Sequence, residues 1–166
     1  MSVTLDTCLF YDKTENRAGK ADFDQIIEFA RRKRLRLFFT GTTDFEDTSG
    51  VAARLTIKLM SKGLLREDPN AGMHDEYMPG GPGLHVVDEK TCETLLNLIW
   101  PDELWKSASD NKRNDVFHLL AHQKNGRHVF LTRDKKILQK KTVLKDKLTI
   151  TVMAPKELVL QLSQQS

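Results

Sequence analysis

One pattern restricts this chain more than any other. Short apolar runs alternate along it with stretches whose apolar positions recur at helical spacing. The runs are "SVTLDTCLF" (residues 2–10), "LRLFFT" (35–40), "HVFLT" (128–132) and "KLTITVM" (147–153), with "HVVD" (85–88) as a further candidate. Such runs, rich in Val, Leu, Phe and Thr, read as strands, the first with a break around Asp6. Between them, "ADFDQIIEFARRKR" puts Phe23, Ile26, Ile27 and Ala30 on one helical face. "VAARLTIKLMSKGLL" turns Ala52, Leu55, Leu59 and Met60 inward and stops at Gly63. The helix "EKTCETLLNLIW" ends at Pro101, "DVFHLLAHQKNG" ends at Gly126, and "APKELVLQL" follows the last strand. Strands that alternate with helices pair in parallel, because each crossover needs a helix's length of chain. The expected fold is therefore α/β: a small, mainly parallel sheet flanked by helices.

The 166 residues suit a single domain spanning 1–166. Within it, residues 66–84, "REDPNAGMHDEYMPGGPGL", are dense in Pro and Gly and lose all periodicity, so they read as a long inserted loop. Net charge is +3, which is compatible with a polyanionic partner. Cys8 and Cys92 lie in apolar contexts and form no CxxC pair. Neither a cysteine zinc site nor a disulfide framework is expected; buried free thiols in a reducing compartment are. The opening "MSVTLDTCLFYD" has no basic region followed by a long apolar run, so neither a signal peptide nor a membrane span is expected. The expected location is cytoplasmic, with no membrane partner.

Parallel α/β sheets build their sites beyond the carboxyl ends of the strands. That rule selects acids. Asp6 follows "SVTL", Glu46 and Asp47 lie beyond "LRLFFT", and Asp134 comes two residues after "HVFLT". Asp115 opens its helix, which runs back from the same edge. Two carboxylates about 4 Å apart repel by roughly 4 kcal/mol at an effective dielectric near 20. A cluster of them calls for a divalent cation, and all-oxygen ligation favours Mg2+ or Mn2+ over zinc. Such an ion lowers the pKa of a bound water and neutralises a phosphoryl oxygen, which is the chemistry of phosphodiester hydrolysis.

These residues resemble the PIN domain family. "VTLDTCLF" is similar to its opening strand and first aspartate, and "TTDFED" to its Thr-x-x-Glu element, here Thr43 and Glu46. "NDVFHLLAHQKNGRHVFLTRDKKIL" resembles the aspartate–helix–strand–Thr-x-Asp block, and "KLTITVMAPKEL" the last strand and helix. The resemblance implies a PIN-like fold and a metal-dependent endoribonuclease acting on single-stranded RNA. It implies Asp6, Glu46, Asp115 and Asp134 as catalytic metal ligands, with Thr132 as a supporting hydroxyl. The second acid stays open among Asp44, Glu46 and Asp47, and Thr43 with Glu46 also matches a helix capping box. His118, one turn after Asp115 on the same face, is either a further supporting group or a core-edge histidine. A homodimer and an inhibitory protein partner are further expectations of the resemblance. The alternative is a catalytically silent PIN-like module that binds RNA or protein.

Lys135 and Lys136, inside "RDKKILQKK", stand beside Asp134 and are candidates for gripping phosphates. "RRKRLR" (31–36) is a second basic cluster, suited to RNA or to a protein interface. Tyr77, Trp100 and Trp105 are stacking or packing aromatics. His118 and His122 have zinc spacing without the glutamate of HExxH. His74, Asp75 and Glu76 read as loop, and "GGPG" lacks the Lys-Ser/Thr of a phosphate loop. No GxSxG or GxGxxG appears, so acyl transfer and dinucleotide chemistry have no support. A receiver domain would need an acid pair after the first strand, which is absent.

Overall fold

The computed structural model describes residues 1–15, 17–40, 50–73 and 84–164. Along the chain run β1 (Ser2–Leu5), α1 (Cys8–Thr14), α2 (Lys20–Arg31), β2 (Arg36–Thr40) and α3 (Val51–Ser61). Then come β3 (Leu65–Asp68), β4 (Asn70–Gly72), β5 (Leu84–Val86), α4 (Glu89–Ile99), a 3-10 turn (Trp105–Ser107) and α5 (Asp110–Lys124). The last elements are β6 (Val129–Leu131), α6 (Lys135–Gln139), α7 (Lys141–Leu148), β7 (Val152–Met153) and α8 (Pro155–Ser163). Five strands form one sheet in the order β3-β2-β1-β6-β7, and every neighbouring pair is parallel. The α/β expectation of a small parallel sheet between helices therefore holds. A second, two-stranded parallel sheet joins β4 to β5.

Side-chain alternation along the strands divides the interior in two. Val3, Leu5, Leu37, Phe39, Leu65, Val129 and Leu131 belong to a core with apolar residues of α1, α2, α3 and α8. At its centre Phe10 meets Phe23 and Phe39 edge-to-face, with ring centroids 6.0 and 6.5 Å apart. Phe130 and Val152 face the other way, into a core with α4, α5, α6 and α7. In α5 every residue from Val116 to His122 is buried, so its central two turns are enclosed all round rather than amphipathic.

Phe23, Ile26, Ile27 and Ala30 of α2 are buried, as their spacing predicts. Both expected glycine stops hold, Gly63 and Gly126 having φ of 65° and 62°, where a Cβ is disfavoured. Other expectations are corrected. "SVTLDTCLF" is a strand only as far as Leu5, and "CLF" opens α1, which the β-prone side chains had disguised. Residues 66–84 are not loop throughout: β3 and β4 occupy the start of that span, and residues 74–83, with His74, Asp75, Glu76 and Tyr77, lie outside the described residues. "KLTITVM" is helical through Leu148 and extended only at Val152–Met153. The basic segment after β6 forms two helices, α6 and α7. Met60 faces outward on α3, where Thr56 is buried. No helix among the described residues is long and apolar enough to cross a membrane.

Candidate active site

Parallel pairing sets β1 beside β6 with Leu5 opposite Leu131, so the residues after each strand emerge together at the carboxyl edge. The backbone N–H of Asp6 donates to Leu131 O at 3.0 Å. The Thr132 hydroxyl, fully buried, donates to Asp6 Oδ2 and accepts from the backbone N–H of Asp134 at 2.9 Å. One threonine oxygen thus joins the two acids: side chain on one side, backbone on the other. Asp134 in turn is the N-cap of α6, its Oδ1 accepting from Lys136 N at 2.7 Å and Ile137 N at 3.0 Å. Among the described residues, Asp6 Oδ1 and Asp134 Oδ2 take no hydrogen bond.

α5 reaches the same edge from the second core. His122 Nδ1 lies 2.9 Å from Thr4 Oγ1 on β1, and His118, one turn earlier, feels the Asp6 carboxylate. The helix thus tracks β1 toward its carboxyl end as its own numbering falls. Asp115 is three residues before His118 and shares its face. It does not open the helix, as the sequence led us to expect. α5 begins five residues earlier, at Asp110, because "SASDNKR" supplies a Ser109 start that composition alone hid in a polar stretch. Burial holds the pKa of His118 below the ordinary histidine value, with Asp6 pulling the other way. Its Nε2 is buried without a hydrogen-bond partner among the described residues.

Lys135 and Lys136 are exposed on the first turn of α6, beside Asp134. Glu46, with Thr43, Asp44 and Asp47, lies outside the described residues. Trp105 is a packing residue, buried edge-to-face on Phe117 with centroids 5.4 Å apart. Among the described residues, no group of three or more His, Cys, Asp or Glu side chains is placed to hold a metal ion. The zinc spacing of His118 and His122 is used otherwise, His122 being committed to Thr4.

Several neighbours of these acids were not apparent from sequence. Cys8 is a free thiol, as expected, but it is half-buried rather than buried in apolar surroundings. Its Sγ donates to Asp6 Oδ2 at 3.2 Å and lies 3.5 Å from the backbone N of Arg133. Burial first, then the adjacent Asp6 charge, pushes its pKa well above the ordinary thiol value, so it stays protonated. Thr7 Oγ1 is buried without a partner among the described residues. Asp12 is fully buried on α1, with Arg133 Nη2 at 2.7 Å from its Oδ1. Burial raises the Asp12 pKa, opposed by Arg133. Reading residues 2–10 as one strand concealed these, because it hid the helix Cys8–Thr14 that carries Cys8 and Asp12.

No protein-family model, curated protein or solved structure matches this chain.

Proposed function

We propose that the chain is a metal-dependent endoribonuclease of the PIN type, hydrolysing phosphodiester bonds of single-stranded RNA. The observation that carries this reading is the Thr132 bridge. It fixes Asp6 and Asp134 at one sheet edge while leaving each carboxylate one oxygen free of hydrogen bonds among the described residues. Two unbonded carboxylate oxygens at one edge are a hard-oxygen donor set, suited to Mg2+ or Mn2+. Asp115 would complete the set from α5 and Glu46 from residues 41–49. A divalent ion there would supply an activated water and offset charge on the phosphoryl group. The chain's own contribution is orientation. Thr132 holds Asp6 against rotation, the helix cap holds Asp134, and Lys135 and Lys136 offer exposed cations to flanking phosphates. His118, kept neutral by burial, supports the Asp6 side without adding positive charge.

RNA is the proposed substrate, and a homodimer and an inhibitory protein are the proposed partners. Ile57 (66% exposed) and Met60 (38% exposed), one turn apart on α3, are exposed apolar side chains that a second copy would cover in such a dimer.

Asp134→Asn separates the enzymatic reading from a structural one. Asparagine caps a helix about as well as aspartate, so metal-free stability is expected to hold within about 0.5 kcal/mol. Manganese-dependent stabilisation and cleavage of a mixed single-stranded RNA are expected to be lost, and Asp115→Asn is expected to weaken both. Cleavage that continues undiminished with chelator in place of manganese overturns the reading.

A second reading is the silent PIN-like module binding RNA or protein. It is favoured by the structural work the acids already do: Asp134 caps α6, and Asp6 accepts from Thr132 and Cys8. RNA retention without cleavage or any manganese response selects it.

A further inference from the structure

The pair Asp12–Arg133 has no place in the reading above, yet Arg133 sits between Thr132 and Asp134. Asp12 lies on α1, the helix that follows Asp6, and has no solvent exposure. Arg133 Nη2 approaches its Oδ1 to 2.7 Å. Among the described residues neither Asp12 oxygen receives a well-aligned hydrogen bond, and Arg133 Nε is buried without one. The contact is therefore one of charge and packing rather than of directed bonds. Gly19 closes the other side: a Cβ there would collide with Asp12 Oδ2, fall 2.8 Å from its Cγ and come 3.4 Å from Arg133 Cδ. Its φ of −77° is open to any residue, so glycine is needed for space alone. The Arg133 side chain thus passes over Gly19 to a carboxylate held in a slot with no slack.

The backbone gives the reason for such an anchor. Thr132 N is held by Met153 O at 3.1 Å, and Asp134 N by Thr132 Oγ1. Between them, among the described residues, the N–H of Arg133 has only a thiol, Cys8 Sγ, at 3.5 Å, a weak acceptor at long range. What fixes residue 133 is its side chain.

We propose that the buried Asp12–Arg133 pair, seated against Gly19, is a positioning device. It ties α1 to the strand-end segment Thr132–Asp134 and so sets Asp6 and Asp134 relative to each other. The proposal rests on the ribonuclease reading for its catalytic meaning, but its structural content is measured separately.

Amide hydrogen exchange is compared in the wild type, in the apolar double variant Asp12→Leu/Arg133→Met, in Arg133→Lys and in Gly19→Ala. The double variant removes both charges and leaves none unpaired. Gly19→Ala keeps both charges and displaces Asp12, so it decides the matter if the double variant does not fold. Exchange at Asp134, Lys136 and Ile137 is expected to rise about tenfold or more in the double variant and in Gly19→Ala. Phe130 and the other β6 amides are expected to be unchanged, and Arg133→Lys to recover part of the protection. Unchanged exchange at 134–137, or an equal rise at every amide, overturns the proposal, the latter because it marks ordinary loss of stability. Where the wild type cleaves RNA, kcat is expected to fall with KM held. Where the wild type cleaves none, the ribonuclease reading fails while exchange still decides the positioning role.

Discussion

His122 carries a histidine's proton affinity into a place that cannot accept the charge. Its ring is buried in α5, edge-on to Phe130 with centroids 5.6 Å apart, and its Nδ1 meets the Thr4 hydroxyl. Burial, with smaller contributions from Arg127 and His128, lowers its pKa from 6.5 to about 4. The folded state therefore binds fewer protons than the unfolded state between those values. The contribution is complete above pH 6.5 and is lost as pH falls toward 4, amounting to about 2 kcal/mol between pH 7 and pH 5. His118, also lowered, adds in the same direction, whereas Asp12, raised by burial, gains stability on acidification. His122→Gln is expected to be less stable at pH 7 and to show a flatter dependence from pH 7 to 5, read as urea midpoints. Parallel slopes would remove His122 as a source. Of these residues, Asp134 and Thr132 were legible in the sequence because they directly follow an unambiguous strand. Asp12 and Cys8 were not, since an acid or thiol on an unrecognised helix gives no sign of what it faces.

Among the elements, β3 shows how a strand at the sheet's edge is held. Asp68, at its end, is buried and takes both Arg127 Nε, at 2.7 Å, and Arg127 Nη2. The guanidinium carbon also lies 3.5 Å from the centre of the Phe38 ring on β2. Nearby, Asn125 donates to Pro69 O at 2.9 Å and pairs with His85 on β5 at 3.1 Å. The turn after α5 thereby fastens β3, β4 and β5. Arg127→Met leaves a buried carboxylate without its partner and is expected to cost about 3–5 kcal/mol in denaturant unfolding. Arg127→Met/Asp68→Leu is expected to recover most of it, and a double variant as unstable as the single would contradict this. These strands were the least legible elements. Residues 65–72 read "LREDPNAG", where charge and proline outweigh the two apolar positions, Leu65 and Ala71, so local composition spoke for a loop and long-range pairing decided for strand. α2 and α8 were legible because each packs one face on a core, and α5 was placed too late because its first residues, Asp110–Asn114, are all polar and carry no apolar period.

At the scale of the whole molecule, alternation of apolar runs and helices was enough to give a parallel sheet between helices, because few other arrangements bury such runs. Strand order was not legible. It depends on which strands lie side by side, and here β1 stands in the middle, with Val3 paired to Leu37 on one side and to Val129 on the other. That position governs how the chain must assemble. The first pairing closes early, but the second waits until the chain has wandered through α4 and α5 and returned. Until then one flank of β1 presents unmatched donors and acceptors. Closing so long an excursion is entropically slow, and refolding from denaturant is expected on roughly the millisecond-to-second scale, read by stopped-flow fluorescence of Trp100 and Trp105. Full recovery within microseconds would be inconsistent with it. The carboxylates of Asp6 and Asp134, just beyond β1 and β6, are brought to one edge only by that pairing, so an incompletely folded chain holds the individual carboxylates but not their juxtaposition.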